Sequence, residues 1–142
     1  MRYKVIKIGV PTDLDGRLFT AIPAEHVVPA VGYHLNSGAG DLVFSGDTTT
    51  NDALWEYIND LPSLRYLIIE TAFSNEEKEI AILSKHLCPT MLEEELKKMR
   101  HAPEIYITHL KPGEIEKTMA EIADCVTCGA PRMLENGHVF NF

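Results

Sequence analysis

The feature that most constrains the fold of this chain is a set of three short apolar runs, at residues 42–44, 66–69 and 105–107. The run at 66–69 is apolar throughout, which is typical of a strand covered on both faces of its sheet. Polar residues with useful chemistry follow the runs at or near their ends, namely Asp47, Glu70 and His109. The pattern therefore predicts buried strands that carry carboxylates and an imidazole to the point where a sheet meets solvent.

The first third of the chain is predicted to form neighbouring antiparallel strands. Alternating apolar residues over 3–10 indicate a first strand, and the pair Asp15-Gly16 indicates a turn into a second strand at 18–22. A further apolar segment at 27–35 is expected to form the next strand. These segments lead into the apolar run that ends before Asp47.

The rest of the chain is predicted to alternate helices and strands, which makes the fold class α/β. Four helices are expected, and they begin near Asn51, Ser74, Pro89 and Pro112. The apolar face of the second helix is predicted to be Ile80, Leu83 and Leu87. The pair Asn136-Gly137 predicts a C-terminal hairpin between 132–135 and 138–142. Because no linker or repeat interrupts the sequence, one domain over residues 1–142 is expected.

Composition and charge exclude several classes of protein. Hydrophobic residues make up 45% of the chain, and the net charge of −8 argues against nucleic acid as a general partner. No apolar run approaches the roughly 18 residues that a membrane span needs, so no membrane partner is expected. The cysteines Cys88, Cys125 and Cys128 lack a disulfide framework, which is typical of reduced thiols in a cytoplasmic protein.

Three residues near predicted strand ends have the chemistry of metal ligands: His26, Asp47 and His109. Gly46 allows a sharp turn, so the Asp47 carboxylate can project into a cleft and bridge two hard cations. The alternative for Asp47 is a cap of the following helix or turn, and the alternative for each histidine is a hydrogen bond at a strand edge. The coincidence of all three beside strand ends favours a metal site.

The order of these residues resembles a known pattern. A histidine segment at 26–33, the Ser-Gly-Asp-Thr segment at 45–48 and the Thr-His-Leu segment at 108–110 resemble the C-terminal half of the metallo-β-lactamase fold. Segments 69–75 and 85–96 extend the likeness, which is strongest to the class II cyclic-nucleotide phosphodiesterases. The resemblance implies the C-terminal half of an αββα sandwich, in which two sheets pack face to face between helices.

The resemblance implies roles for five residues. His26 would bind one metal ion and His109 a second, with Asp47 bridging them; the two ions would be zinc, with manganese as an alternative. His86 and Glu70 would lie beside the substrate phosphate. The implied reaction is hydrolysis of a 3′,5′-cyclic nucleotide by a metal-activated hydroxide, with His86 protonating the departing ribose oxygen. The alternative for His86 alone is an interaction with a helix C-terminal dipole.

One motif of the family is absent from this sequence. The His-x-His-x-Asp-His cluster, which supplies most of the remaining ligands, is not found. The three candidate ligands cannot fill two coordination spheres of about four ligands each. We therefore expect either the C-terminal portion of a longer enzyme, which the strand-like start at Met1 favours, or a divergent, non-catalytic half-domain. Such a half-domain would need a missing N-terminal half or a partner chain.

Two further expectations follow from the same resemblance. An RNA-processing nuclease of the same superfamily is an alternative function, which the net charge of −8 disfavours. Half of a sandwich would expose one apolar face of its sheet. The chain is therefore predicted to form a homo-oligomer.

Overall fold

The computed structural model describes residues 5–142, and these contain a seven-stranded sheet whose strand order follows the chain. The strands are β1 Thr12–Leu14, β2 Arg17–Pro23, β3 Val31–Asn36, β4 Asp41–Phe44, β5 Leu64–Glu70, β6 Glu104–Thr108 and β7 Arg132–Met133. The helices are α1 Asp52–Asn59, α2 Lys78–Ser84, α3 Pro89–Leu96 and α4 Ile115–Cys125, and a 3₁₀ turn at Asn75–Glu77 precedes α2. Strands β1 to β4 pair antiparallel, and β4 to β7 pair parallel. The predicted α/β fold is confirmed.

Local signals in the sequence account for several element boundaries. Asp15 and Gly16 have φ values of 53° and 84° and form the turn between β1 and β2, as predicted. Asn51 caps α1, because its side-chain oxygen accepts a hydrogen bond from the Leu54 N–H at 3.1 Å. Pro89 occupies the first turn of α3, where a missing N–H leaves no hydrogen bond unmade.

All four helices cover the same face of the sheet. Alternate residues of β4, β5 and β6 point towards this face, and those that enter the core are Val43, Leu67, Ile69, Ile105 and Ile107. They pack against residues from α1, α3 and α4, which include Leu54, Trp55, Ile58, Leu92 and Ile122. Crossover connections between parallel strands are right-handed. Because β4 to β7 follow one another across the sheet in one direction, the helices that connect them lie on the same side.

The opposite face of the sheet carries a smaller apolar cluster, to which no helix in residues 5–142 contributes. Its buried members are Leu42, Ile68 and Tyr106. The C-terminal rings of Phe140 and Phe142 pack on this cluster, with centroids 5.0 and 5.7 Å from that of Tyr66. This face is therefore covered in part by the end of the chain itself.

The predicted C-terminal hairpin is wrong. Gly137 adopts φ 82°, in the left-handed region, and ends a turn, but residues 138–142 form no strand. Strand β7 is limited to Arg132 and Met133, which pair parallel with β6. Burying two aromatic rings on the sheet is more favourable than forming an exposed two-stranded ribbon, which is marginally stable in water.

Two predicted strands in the first third differ from the observed ones. Of the strand predicted at 3–10, residues 3 and 4 lie outside the described residues, and the described remainder forms an isolated bridge between Ile8 and Ala21. The strand predicted at 27–35 begins at Val31, because Pro29 lacks the N–H that a ladder requires. His26 consequently lies in the loop between β2 and β3.

The predicted inward face of the second helix is also wrong in part. Ile80 is 48% exposed and Leu83 is 80% exposed, whereas Leu87 is buried. Helix α2 ends at Ser84, and Lys85 then adopts a left-handed φ of 54°. Leu87 therefore reaches the core from the loop after the helix, and it does not share a helical face with the other two residues.

The structure also bears on the expectations about membranes and cysteines. In residues 5–142, every helix is too short or too polar to cross a lipid bilayer. The thiols of Cys88, Cys125 and Cys128 are free. The cytoplasmic location inferred from these cysteines stays a prediction.

Candidate functional site

The loops that follow β4, β5 and β6 meet at one edge of the sheet. Because these strands run parallel, their carboxyl ends lie side by side, which is where ligands bind in open α/β sheets. The Glu70 N–H donates to Ser45 Oγ at 3.2 Å, and the Thr71 N–H donates to the Thr108 carbonyl at 3.1 Å. These bonds fix the positions of the three loops relative to one another.

The first loop places Asp47 at this edge through a glycine. Gly46 has φ +65°, and a Cβ at this position would lie 2.4 Å from the carbonyl oxygen of Val31. No side chain fits there, so the residue must be glycine for the turn to form. The Asp47 side chain is 41% exposed and therefore remains accessible at the rim.

The third loop places His109 opposite Asp47. His109 adopts a left-handed φ of 61°, which is uncommon for a residue with a side chain and is often associated with functional sites. Its Nδ1 lies 3.7 Å from Asp47 Oδ1. The structure therefore brings together two of the three predicted metal ligands.

The second loop contains a fully buried carboxylate, Glu70, which is 0% exposed. Its Oε1 accepts a hydrogen bond from the Thr48 N–H at 3.0 Å, and its Oε2 accepts from the N–H groups of Ala72 at 3.1 Å and Leu87 at 3.2 Å. Three backbone donors hold the carboxylate in one orientation. Glu70 is therefore a rigid anchor beneath the site.

His86 is the partner of this anchor. Its Nδ1 lies 2.6 Å from Glu70 Oε1. The hydrogen bond to Glu70 is the largest influence on the pKa of His86 and raises it above the ordinary value of 6.5, against a smaller opposing effect of desolvation. The charge of Asp47 adds to the increase in this pKa.

His26 completes the group from the loop between β2 and β3. Its Nδ1 lies 3.2 Å from the carbonyl oxygen of Lys85, and its ring centroid lies 4.7 Å from that of His86. A backbone carbonyl that binds one ring nitrogen leaves the other, Nε2, free to bind a metal, as is usual for histidine ligands. Lys85 positions His26 in this way.

The three imidazoles form a row with His86 in the middle. The centroid of His86 lies 4.7 Å from that of His26 and 5.1 Å from that of His109, against which it stacks at 22°. Asp47 joins the row at the His109 end. All five predicted site residues therefore lie in one continuous cluster, although their roles stay predictions.

A cleft of about 400 Å³ opens beside His86 and His109. Its walls include Phe73, Leu110 and Lys111, and the ammonium group of Lys111 lies 5.8 Å from the centroid of the Phe73 ring. The cleft is largely apolar near the two imidazoles. It is large enough to hold part of a small organic substrate.

Comparison with known proteins identifies the fold. No protein-family model and no curated protein matches the sequence. The metallo-β-lactamase fold protein YhfI from Bacillus subtilis matches with a TM-score of 0.78 at 17% identity, over 96% of this chain and 54% of YhfI. The metallo hydrolase Igni18 from the archaeon Ignicoccus hospitalis matches with a TM-score of 0.67 at 18% identity, over 96% of this chain and 60% of Igni18. The chain has the metallo-β-lactamase fold.

A third structure agrees with this assignment. The short form of human tRNase Z matches with a TM-score of 0.60 at 19% identity, over 71% of this chain and 38% of that protein. The chain thus spans 54% of YhfI and 60% of Igni18, or about half the length of the metallo-β-lactamase fold proteins that it matches. The fold predicted from the motifs is confirmed, whereas the finer likeness to cyclic-nucleotide phosphodiesterases stays a prediction.

The donor atoms of the cluster can be compared with what a metal in a metallo-β-lactamase fold requires. The imidazoles of His26 and His109 and the carboxylate of Asp47 are nitrogen and oxygen donors of the kind that zinc binds. Within residues 5–142, no three side chains of His, Cys, Asp or Glu are spaced to hold one ion. The atom types of these donors therefore suit a metal ion, but the donors are too few and too far apart to hold it alone.

Sequence reasoning missed two residues of the site, Lys85 and Lys111. Lys85 supplies the carbonyl that binds His26, and Lys111 lines the cleft while its ammonium group contacts Glu77 Oε1 at 2.5 Å. Lys111 lies two positions after His109, which is a weak local signal. No local pattern could reveal Lys85, because its backbone carbonyl and its partner His26 are 59 positions apart.

Proposed function

We propose that this chain carries the acid–base part of a metal-dependent phosphodiesterase-like hydrolase that acts on 3′,5′-cyclic nucleotides. One observation carries the proposal: the imidazole of His86 is held by the buried carboxylate of Glu70 and lies between His26 and His109. A histidine oriented in this way beside candidate metal ligands is suited to acid–base catalysis on a phosphate ester.

His26, Asp47 and His109 are the residues that would hold metal in this proposal. Zinc is the ion that this mixture of imidazole and carboxylate ligands favours, and manganese is the alternative. When bound, the metal supplies Lewis acidity, which makes water nucleophilic near neutral pH and withdraws charge from the phosphate. The remaining ligands would come from a missing N-terminal half or a partner chain that carries the His-x-His-x-Asp-His cluster.

His86 is assigned the role of general acid. Because the bond to Glu70 raises the pKa of His86, the ring is charged over more of the neutral pH range than a free histidine. Its Nδ1 is occupied by Glu70, so Nε2 is the atom that would donate a proton to the departing ribose oxygen. Glu70 is a positioning residue, because it acts through His86.

The test combines metal binding with turnover. The purified chain, alone and together with a chain that carries a His-x-His-x-Asp-His segment, is titrated with zinc or manganese by calorimetry and then incubated with 3′,5′-cyclic AMP. We expect Asp47→Asn to weaken zinc binding, and His86→Gln to lower kcat while zinc binding is retained. Glu70→Gln should shift the alkaline limb of the pH–rate profile to lower pH, because the general acid then loses its proton at a lower pH. Zinc binding that is unchanged in Asp47→Asn, or absent from the wild-type chain even when the second chain is present, would contradict the proposed metal ligands.

A second candidate is an incomplete half-domain that needs a missing N-terminal half or a partner chain. The absence from residues 5–142 of any group of three closely spaced metal-binding side chains favours it. Co-expression with a chain that carries a His-x-His-x-Asp-His segment should then yield a stable complex that binds zinc and hydrolyses cyclic AMP. Neither complex nor activity in that experiment would count against complementation.

An RNA-processing nuclease is the remaining alternative. The fold it shares with human tRNase Z is compatible with this function, but the net charge of −8 is unfavourable for a polyanionic substrate. A nuclease would bind RNA with an affinity that falls steeply as salt increases. Binding that is absent or independent of salt would exclude it.

A further inference from the structure

The apolar wall of the cleft beside His86 and His109 has no part in the acid–base or metal chemistry. Four residues of this wall are apolar, namely Ala72, Phe73, Leu110 and Pro112. Proteins bind phosphate with positive charges and N–H donors, which such side chains do not supply. The wall is therefore suited to a different part of a substrate.

The aromatic ring of Phe73 lies beside the proposed general acid. Its centroid is 5.7 Å from that of His86, and the two rings are tilted by 59°. The ammonium group of Lys111 lies 5.8 Å from the same centroid, within the range of a cation–π contact. Phe73 thus contacts both His86 and Lys111, and all three line the cleft.

The backbone around Phe73 is fixed by the neighbouring loops. The Phe73 N–H donates to the carbonyl oxygen of Leu87 at 3.3 Å, next to His86 in the chain. The Lys111 N–H donates to the carbonyl oxygen of Ala72 at 3.1 Å. Because the wall is held in place before any ligand arrives, a ligand that packs on it pays little for ordering the protein.

The charges around Lys111 disfavour phosphate at this wall. Lys111 is the one Lys or Arg among the residues that line the cleft. Its ammonium group lies 2.5 Å from Glu77 Oε1 and 3.8 Å from Glu114 Oε1. Two carboxylates therefore offset a single ammonium group, and no positive charge is left over for an anion. A neutral, apolar part of a substrate fits this end of the cleft better.

The role of His86 decides which part of the substrate that is. A general acid lies within about 2.6–3.2 Å of the oxygen that it protonates, so the ribose would lie against His86. The nucleobase is attached to that ribose and is its neutral, aromatic neighbour. Phe73, whose ring is 5.7 Å from that of His86, is then within reach of the base.

We propose that Phe73 forms a subsite on which the nucleobase of the substrate stacks, with Leu110 and Pro112 as its apolar rim. This subsite rests on the proposed function, because the role of His86 brings the ribose to the cleft. Stacking on an aromatic ring is open to every base, since every base has a π-face. The subsite should therefore bind adenosine and guanosine with similar affinity.

The test measures adenosine binding to the purified chain by NMR, without zinc and without a second chain. We expect saturable binding and intermolecular NOEs between the Phe73 ring protons and those of adenine. Phe73→Leu should weaken binding about tenfold, the equivalent of about 1.4 kcal/mol, whereas Phe73→Tyr, which keeps the aromatic face, should retain it. Phe19→Leu is the matched control, because it removes a half-buried ring from β2 outside the cleft.

A second probe, ribose 5-phosphate, separates the base from the sugar phosphate. It should not displace adenosine, and displacement at equal concentration would show that the cleft binds the phosphate and would overturn the subsite. The NOEs are observed in the wild-type chain, so the test does not depend on the folding of a variant.

The outcome is separable from that of the metal and turnover experiments. Absent adenosine binding, or equal affinity in wild type and Phe73→Leu, would overturn the subsite and leave the proposed roles of His86 and the metal ligands standing. Adenosine binding that depends on Phe73, in a chain that hydrolyses no cyclic AMP even with the second chain present, would support the subsite and contradict the proposed reaction alone.

Discussion

At the scale of single residues, the bond between Glu70 and His86 is the contact on which the proposed chemistry depends. The carboxylate is fully buried and accepts three backbone hydrogen bonds besides that of the imidazole. The backbone therefore fixes the orientation of the carboxylate, and the carboxylate fixes the orientation of the His86 ring. A change at Glu70 should alter the imidazole before it alters the fold.

The first prediction concerns Glu70→Gln. The variant should lower the pKa of His86, because the neutral amide no longer stabilises the imidazolium. Stability should fall by about 1.5–3 kcal/mol, the usual value for a hydrogen bond to a charged group. NMR titration of the imidazole nitrogens measures the pKa, and Glu94→Gln, at an exposed position, is the control. An unchanged His86 titration would show that Glu70 does not set its pKa.

The second prediction concerns pH. Because the pKa of His86 is raised in the folded chain, its contribution to stability is complete below the unfolded value of 6.5 and is lost as pH rises through the folded pKa. The difference in free energy of unfolding between wild type and His86→Gln should thus be larger at about pH 6 than at about pH 9. Urea denaturation at both pH values measures it, and a larger difference at high pH would refute the sign.

At the scale of elements, the turn after β4 decides where the metal-ligand candidate Asp47 lies. Gly46 has a left-handed φ and no room for a Cβ beside the Val31 carbonyl. Gly38 also has a left-handed φ, of +87°, but nothing lies within 4 Å of a Cβ added there. The two glycines separate the effect of backbone strain from that of a steric clash.

The third prediction compares Gly46→Ala with Gly38→Ala. Both should lose about 1–2 kcal/mol from the left-handed backbone. Gly46→Ala should lose about 1–3 kcal/mol more, because the methyl group must displace the backbone of β3. Urea denaturation gives both values. The affinity for zinc, measured by titration, should fall only in Gly46→Ala. Equal losses of stability would mean that β3 moves aside at little cost.

At the scale of the whole molecule, the sheet has two unequal faces. The helices cover the larger apolar cluster on one face, whereas the other face is covered in part by the C-terminal residues Phe140 and Phe142. The exposed face of α2 adds Ile82, at 54%, to Ile80 and Leu83. Apolar surface of this kind favours association.

The fourth prediction is that the chain self-associates and that its C-terminal rings limit this association. Replacing Phe140 and Phe142 with serine should expose more of the sheet face around Tyr66 and Tyr106, and should increase the average mass measured by light scattering. Val139→Ser is the control, since Val139 directly precedes Phe140 in the chain but is 73% exposed. A wild-type chain that remains a monodisperse monomer would contradict the expected homo-oligomer.

Sequence reasoning succeeded where the signals are local. Apolar runs ending near Asp47, Glu70 and His109 predicted three strands, and Asn51 and Pro89 marked helix starts that the structure contains. It was wrong about the hairpin at 138–142, because a strong turn pair cannot specify a strand when aromatic residues gain more by packing elsewhere. The helical spacing of apolar residues at 80, 83 and 87 likewise could not reveal that α2 ends before Leu87.

By itself, the sequence determined the order and type of most elements and the residues that end the three central strands. Those properties depend on interactions over a few residues, which propensity and periodicity describe. Only the tertiary structure decided that His86 binds a carboxylate 16 positions away, that His26 is held by a carbonyl 59 positions away, and that the Phe73 ring lies beside both His86 and Lys111. Such contacts join distant segments, and their geometry follows from how the whole core packs.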